Sequence, residues 1–346
     1  MFRPAFTLYD GRRRPPPDLP LQYQFDFSLS GALAEMPLLR SVTFSCCEGV
    51  PLIALSAVLS IPKLRDIRFD DGRIAEWRDA SFRSREKPDL AVTALASLTC
   101  PRKVDYRVDK DKKQQLARDI VLVDHIARQA HRTLEVVVLP SQVAPYQAFQ
   151  EHVWPCLRHL ALHGRRHTAS EQSGLNAVPF LLHMPNLRVL KLELSQPRGM
   201  ERCMIWPPGM NVTTPCPDLE TLCLSYPHPD DHIFSHLPQT LRRLALRCWP
   251  RHYMHLLWHD RQVLNRLGLS SPILTSSEML SIIRRCQLSP LTGVEHLDIE
   301  FEEDERCTEL LSRISFAFPN VTFLTVHRYR RTGMDMVPVV SGFVCW

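Results

Sequence analysis

Apolar residues recur along this chain in a short frame, each first position followed by apolar residues three and five places on. Leu157-x-x-Leu160-x-Leu162 shows it most plainly. The frame returns at Leu39/Val42/Phe44, Leu64/Ile67/Phe69, Leu134/Val137/Leu139, Leu187/Leu190/Leu192 and Leu219/Leu222/Leu224. It continues at Leu241/Leu244/Leu246, Leu264/Leu267/Leu269, Val294/Leu297/Ile299 and Val321/Leu324/Val326. Its last two positions alternate with period two, as a strand buried on one face requires. The flanks carry more information than the triplet. Proline stands two residues ahead of the first position in six of the ten units, at Pro37, Pro62, Pro155, Pro185, Pro217 and Pro319. The residue after the first position is charged in eight: Arg40, Arg65, Glu135, Arg158, Arg188, Glu220, Arg242 and Glu295. A proline there is expected to stop a preceding helix and start an extended segment. Helix-like runs lie between units, at Pro51–Ser60, Leu116–His131, Asp231–Leu237, Ser277–Cys286 and Cys307–Phe316, with Thr275 and Glu278 spaced as a capping box. The pattern predicts an α/β fold in which a curved parallel sheet carries helices or loops on its convex side.

From Leu134 onward first positions fall 22 to 32 residues apart, close to the length of leucine-rich repeats and short for paired-helix repeats. The expected organisation is a leucine-rich-repeat solenoid of irregular repeats over residues 36–327. Residues 1–35 precede it as a proline- and arginine-rich tail or cap, and residues 328–346 follow as a C-terminal tail. The array is irregular over 70–133, where only a degenerate unit at Val104, Tyr106 and Val108 is visible and Asp109–Lys113 reads as a solvated loop. An insertion at 195–216 contains Met204-Ile205-Trp206-Pro207-Pro208. Trp206 is expected to fold back over the convex side, a partner contact being the alternative.

Alternation also tells which residues stand on the concave face. The rows bring forward His159 and His163, Lys191 and Glu193, Arg243 and Arg247, Arg266, and His296, Asp298 and Glu300 as candidate partner-binding residues. Neighbouring rows lie about 5 Å apart. Arg243, Arg247 and Arg266 would then form a basic patch beside an acidic one at Asp298 and Glu300. Such patches either orient a protein partner or neutralise each other. Small entries at Ala161, Ala245 and Gly268 would leave room for a partner's side chains.

Composition narrows the functional classes. The 346 residues are 45% apolar, enough for a substantial core, and a net charge of +5 from 42 basic and 37 acidic residues in mixed order does not call for nucleic acid. Arg12-Arg13-Arg14 followed by three prolines reads as a disordered tail. Eleven cysteines without a Cys-x-x-Cys pair fit reduced, mostly buried thiols in a cytoplasmic or nuclear protein. No secretory signal and no apolar run of membrane-spanning length is seen, so no membrane partner is expected. With only 12 glycines, the chain has no phosphate cradle, His-Glu-x-x-His helix or Gly-x-Ser-x-Gly elbow. No enzyme activity and no cofactor are expected. His252, His255 and His259 would share a helical face with Cys248 upstream, yet the spacing matches no closed zinc site and Pro250 interrupts it. His159, His163 and His167 begin in a strand and do not share a face, so no metal is expected.

The Pro-x-Leu-Arg-x-Leu-x-Leu form of Trp154–Leu162 and Met184–Leu192, with irregular spacing and long insertions, resembles the repeat region of fungal F-box and leucine-rich-repeat proteins of the ribonuclease-inhibitor-like kind. The resemblance covers roughly residues 36 to 327. It implies repeats that capture a substrate for a cullin-type ubiquitin ligase, with an F-box ahead of them docking on the ligase's linker subunit. Here Met1–Met36 holds no recognisable F-box, and the family's Asn or Cys ladder position is matched only at Cys47. The expected function is a non-enzymatic protein-binding scaffold using the concave strand face, in the ligase form its substrate-recognition part. The alternatives are a nucleic-acid-associated repeat protein and a truncated product without ligase function.

Overall fold

The structure is a computed structural model. It describes residues 5–9, 32–33, 35–45, 49–70, 74, 90, 92, 94–101, 110–166, 178–199, 202, 204–210, 216–249, 269–270, 272–287, 291–332 and 335–345. The chain forms two compact units, Met1–Leu157 and Arg158–Trp346, both of α/β type.

The proline-marked frame has a specific local geometry. The first-position N–H donates to the carbonyl three residues back: Leu39 to Met36, Leu64 to Ile61, Leu157 to Trp154, Leu187 to Met184, Leu219 to Cys216 and Val321 to Phe318. Proline therefore occupies the second place of a four-residue turn, where its fixed φ is an advantage. It opens a turn rather than an extended segment, and the strand begins two residues after the first apolar position. The next unit then docks by a recurring bond pair in which one carbonyl accepts two successive N–H groups. Arg40 accepts from Arg65 and Asp66, Arg65 from Ala96 and Ser97, Arg158 from Arg188 and Val189, and Glu220 from Arg242 and Arg243.

In the first unit five strands run parallel in chain order: β1 (Ala5–Tyr9), β2 (Ser41–Ser45), β3 (Asp66–Phe69), β4 (Ser97–Thr99) and β5 (Val136–Pro140). Register aligns the repeated positions, Val42 with Ile67, Ile67 with Leu98, and Leu98 with Val137. These are buried, as are Phe44 and Phe69, whose rings stack at 5.4 Å. Helix α1 (Leu52–Leu59) falls where the pattern put it. Two expectations for residues 70–133 are corrected. The frame does not lapse, because Leu95, Leu98 and Cys100 occupy it and are buried; cysteine fills the third apolar place as a small hydrophobe. Helix α2 spans Lys110–Ala130, so most of the charged stretch read as a loop is the first turn of a helix. Its apolar stripe, Leu122, Val123, Ile126, Ala127 and Ala130, is buried and anchors it. The degenerate unit at Val104–Val108 lies outside the described residues. A short helix, α3 (Tyr146–Glu151), closes the unit, with Phe149 against Trp154 at 5.1 Å.

In the second unit β6 (His159–Arg165), β7 (Val189–Pro197), β8 (Thr221–Ser225) and β9 (Arg243–Arg247) are successive parallel neighbours. A single helical turn, α4 (Val178–Leu181), precedes β7. The unit expected at Leu264/Leu267/Leu269 does not contribute the next strand. β9 pairs directly with β12 (His296–Glu302), Arg243 opposite His296 and Leu244 opposite Leu297. Among its described residues the intervening chain supplies two short strand pieces instead. β10 (Leu269–Ser270) runs antiparallel to the end of β7, and β11 (Leu274–Thr275) lies beside the end of β12. Helices α5 (Ser276–Cys286) and α6 (Cys307–Ala317) match their sequence runs, and Thr275 with Glu278 closes a reciprocal capping box. The run Asp231–Leu237 is a 3-10 turn, His232–Ser235. Residues read as a C-terminal tail instead extend β13 (Phe323–Thr332) and form β14 (Asp335–Cys345), its antiparallel partner.

The insertion folds back on its own unit. Ile205 and Trp206 donate backbone N–H groups to the buried Asp231 carboxylate at 2.5 and 3.0 Å, and the buried Trp206 ring stacks on His236 at 4.4 Å. Trp206 thus packs against its own unit.

Candidate functional site

The outward positions of the second unit's strands form three rows. His159, Val189, Thr221, Arg243, His296 and Phe323 make the first, by the registers of β6 to β9, β12 and β13. Ala161, Lys191, Cys223, Ala245, Asp298 and Thr325 make the second. His163 faces Glu193 in the third, where Arg247 and Glu300 also stand. Nine of the ten candidate residues therefore lie on one sheet face, and Arg266 lies outside the described residues.

That face is not the open surface expected. Ala161, Cys223 and Ala245 are buried, as are His163, Asp298 and Glu300. The small residues leave no exposed recess, and Gly268 lies outside the described residues. Parallel strands are ordinarily covered on both faces, and β6, β8, β9 and β12 follow that rule. Among the described residues Arg247 of the expected basic patch pairs with Asp298 of the acidic one, both largely buried. Glu300 accepts from the Cys248 backbone N–H at 2.6 Å and from the Tyr329 hydroxyl at 2.8 Å. Neither Cys248 nor Tyr329 stands out in sequence as its partner, since both bonds reach beyond the strand frame.

The first row remains accessible. Arg243 and Phe323 are exposed, and the His296 ring lies flat on Phe323 at 4.4 Å. Lys191 and Glu193 are half-buried. His159 is also half-buried; burial and the nearby Lys191 charge both hold its pKa below the usual histidine range. The charges that mark the frame pair sideways along the strand starts, Arg188 with Glu220 at 3.3 Å and Arg242 with Glu295 at 3.7 Å. Arg65 and Glu135 do the same at 2.8 Å in the first unit. All three pairs are about half exposed, so each contributes at most about 1 kcal/mol.

The first unit presents a different face. Its strands alternate buried and accessible residues. Ser41, Thr43 and Ser45, Asp66 and Asp70, Ser97 and Thr99, and Val136 and Val138 are half-buried, and Arg68 is exposed. Arg68 pairs with Asp70 at 2.5 Å, and the Ser45 hydroxyl donates to Asp70 at 3.5 Å. The same alternation in sequence puts Ser41, Thr43, Ser45, Asp66, Arg68, Asp70, Val136 and Val138 on the concave face, although none was among the ten residues put forward for partner binding.

Among the described residues no group of three or more His, Cys, Asp or Glu is placed to hold a metal, and His252, His255 and His259 lie outside them. Also among those residues, no helix is long and apolar enough to cross a membrane. Cys100, Cys156, Cys216, Cys223, Cys248, Cys286 and Cys307 are free thiols. Neither a protein-family model nor a curated protein matches the chain.

Proposed function

We propose that both units are leucine-rich-repeat arrays of a solenoid-type, non-enzymatic scaffold that binds a protein through accessible strand faces. The observation that carries this reading is the first unit's sheet. Parallel strands there expose one face, whereas such sheets are ordinarily buried on both. The half-buried residues of that face are compact and polar around the exposed Arg68, with Val136 and Val138 beside them. An arginine amid small side chains and a modest apolar area is the composition of an interface anchor. Arg243, His296 and Phe323 offer a second set in the other unit. In its ligase form the scaffold would present a substrate to a cullin-type ubiquitin ligase, as the resemblance of the Trp154–Leu162 and Met184–Leu192 segments implies.

Affinity purification tests the reading, comparing the wild type with Arg68→Glu/Val138→Glu and with Arg243→Glu, each checked for native circular dichroism. The expected outcome is a stoichiometric protein partner whose recovery falls at least tenfold in one variant. Equal recovery with all three chains would remove the strand faces from the reading. A cullin linker subunit among the partners supports the ligase form. Steeply salt-dependent nucleic-acid binding in place of a protein would overturn the scaffold.

A further inference from the structure

The strand starts of the second unit carry an unbalanced charge. At the position just before β6, β7, β8, β9 and β12 stand Arg158, Arg188, Glu220, Arg242 and Glu295. Both carboxylates are taken, Glu220 by Arg188 and Glu295 by Arg242. Arg158 is exposed and has no carboxylate partner among the described residues. The adjoining outward row adds Arg243, also exposed and without such a partner among them, and that row holds no carboxylate from His159 to Phe323. Lys191, one row further, has no ion-pair partner among those residues either. Acidic groups nearby stand apart from this strip. Asp298 pairs with Arg247, Glu193 lies in the third row against the Cys223 thiol, and Asp218 belongs to the turn before β8.

At the far end of the same row an aromatic ring stands in the open. Phe323 is 54% exposed, and the His296 ring covers one side of it, flat at 4.4 Å. Arginine and aromatic residues are the types enriched where proteins meet. Strands lie about 4.8 Å apart, so Arg243 and Phe323, two strands from each other, are separated by roughly 10 Å along the row. In an extended polyproline-type chain, residues three positions apart return to the same side after about 9 Å, which matches that separation. Acidic runs extend by self-repulsion. A net charge of +5 over 346 residues gives no general attraction for phosphates, so the local surplus of cations suits a protein segment.

We propose that this strip binds an extended acidic segment of a protein partner, its carboxylates on Arg158, Lys191 and Arg243 and an aromatic or large aliphatic side chain against Phe323. The assignment rests on the scaffold reading and gives the chemistry of the partner at the second unit's face. Opposite charge sets the partner's position along the row, and the open ring supplies the apolar anchor.

Fluorescence anisotropy of the full chain with a labelled octapeptide of seven acidic residues followed by phenylalanine tests this. Parallel probes carry alanine in place of the phenylalanine or glutamine in place of every acidic residue, and an eight-nucleotide thymidine strand stands for nucleic acid. Saturable binding of the acidic peptide is expected, about tenfold tighter than the glutamine peptide or the thymidine strand and about fivefold tighter than the alanine peptide. Arg243→Gln should weaken the acidic peptide about tenfold. Phe323→Ser should bind the phenylalanine and alanine peptides equally while still preferring both to the glutamine peptide, a result that neither misfolding nor unspecific attraction produces. No saturable binding, equal binding of the glutamine peptide or the thymidine strand, or a phenylalanine preference kept in Phe323→Ser would each overturn the proposal. The scaffold reading falls separately, by equal partner recovery from all three chains in the affinity purification. A partner lost only with Arg68→Glu/Val138→Glu keeps the scaffold and overturns this assignment.

Discussion

His159 shows how a single half-buried side chain ties stability to pH. Its Nε2 is buried without a partner among the described residues, and burial together with Lys191 lowers its pKa. The unfolded chain therefore takes up the proton first as pH falls. Stability that depends on neutral His159 is complete above the ordinary histidine pKa of about 6.5 and is lost as pH drops toward the lower folded value. Urea unfolding at pH 7.5 and pH 5.5 should show a smaller loss of midpoint in His159→Leu than in the wild type. An equal loss in both would remove His159 as a source of the dependence. Arg247 and Asp298 make the complementary point at the same scale. Alternation places both on the outward face, yet their side chains turn toward each other. A pair at this depth gains from mutual contact what a partner would otherwise supply, so the positions read as binding residues serve the sheet itself.

At the scale of elements, the most informative contact is between the insertion and the 3-10 turn His232–Ser235. Asp231 accepts from the backbone of Ile205, Trp206 and Ile233. Burial raises its pKa while these three N–H groups act the other way. Asp231→Ala should lower stability by about 2–3 kcal/mol, the cost of stranding buried donors, and should speed tryptic cleavage at Arg198 or Arg202. Thr275→Ala, which removes the cap of α5, is expected to cost about 1 kcal/mol and to leave those sites protected. Protected sites in both variants would mean that Asp231 does not hold the insertion. Helix ends and strand starts were largely legible in sequence because they depend on neighbours within a few residues: the prolines sit in turns, and α1, α5 and α6 occupy their predicted runs. The unit at Leu95, Leu98 and Cys100 escaped because its third apolar place is a cysteine. The first turn of α2 escaped because Asp109–Lys113 is charged, and its helicity follows from the buried stripe downstream.

Across the whole molecule, thiol burial follows the core of both units. Burial pushes the pKa of Cys100, Cys216 and Cys286 up to about 12, and a thiol so shifted is almost wholly protonated and inert. Cys156 is only half-buried. Iodoacetamide on the native protein should modify Cys156 at least tenfold faster than those three, which should react only after denaturation; comparable native rates would contradict the described core. The sequence by itself determined the α/β class, most strands of the repeated frame, their inward apolar residues and the place of the prolines before them. These depend on side-chain alternation and on proline's fixed φ, both local properties. Only the tertiary structure decided that β9 neighbours β12 directly, that the second unit's outward rows are largely covered while the first unit's face stays accessible, and that the insertion is held by Asp231. Alternation tells on which side of a sheet a residue stands; what covers that side is set by chain segments tens of residues away.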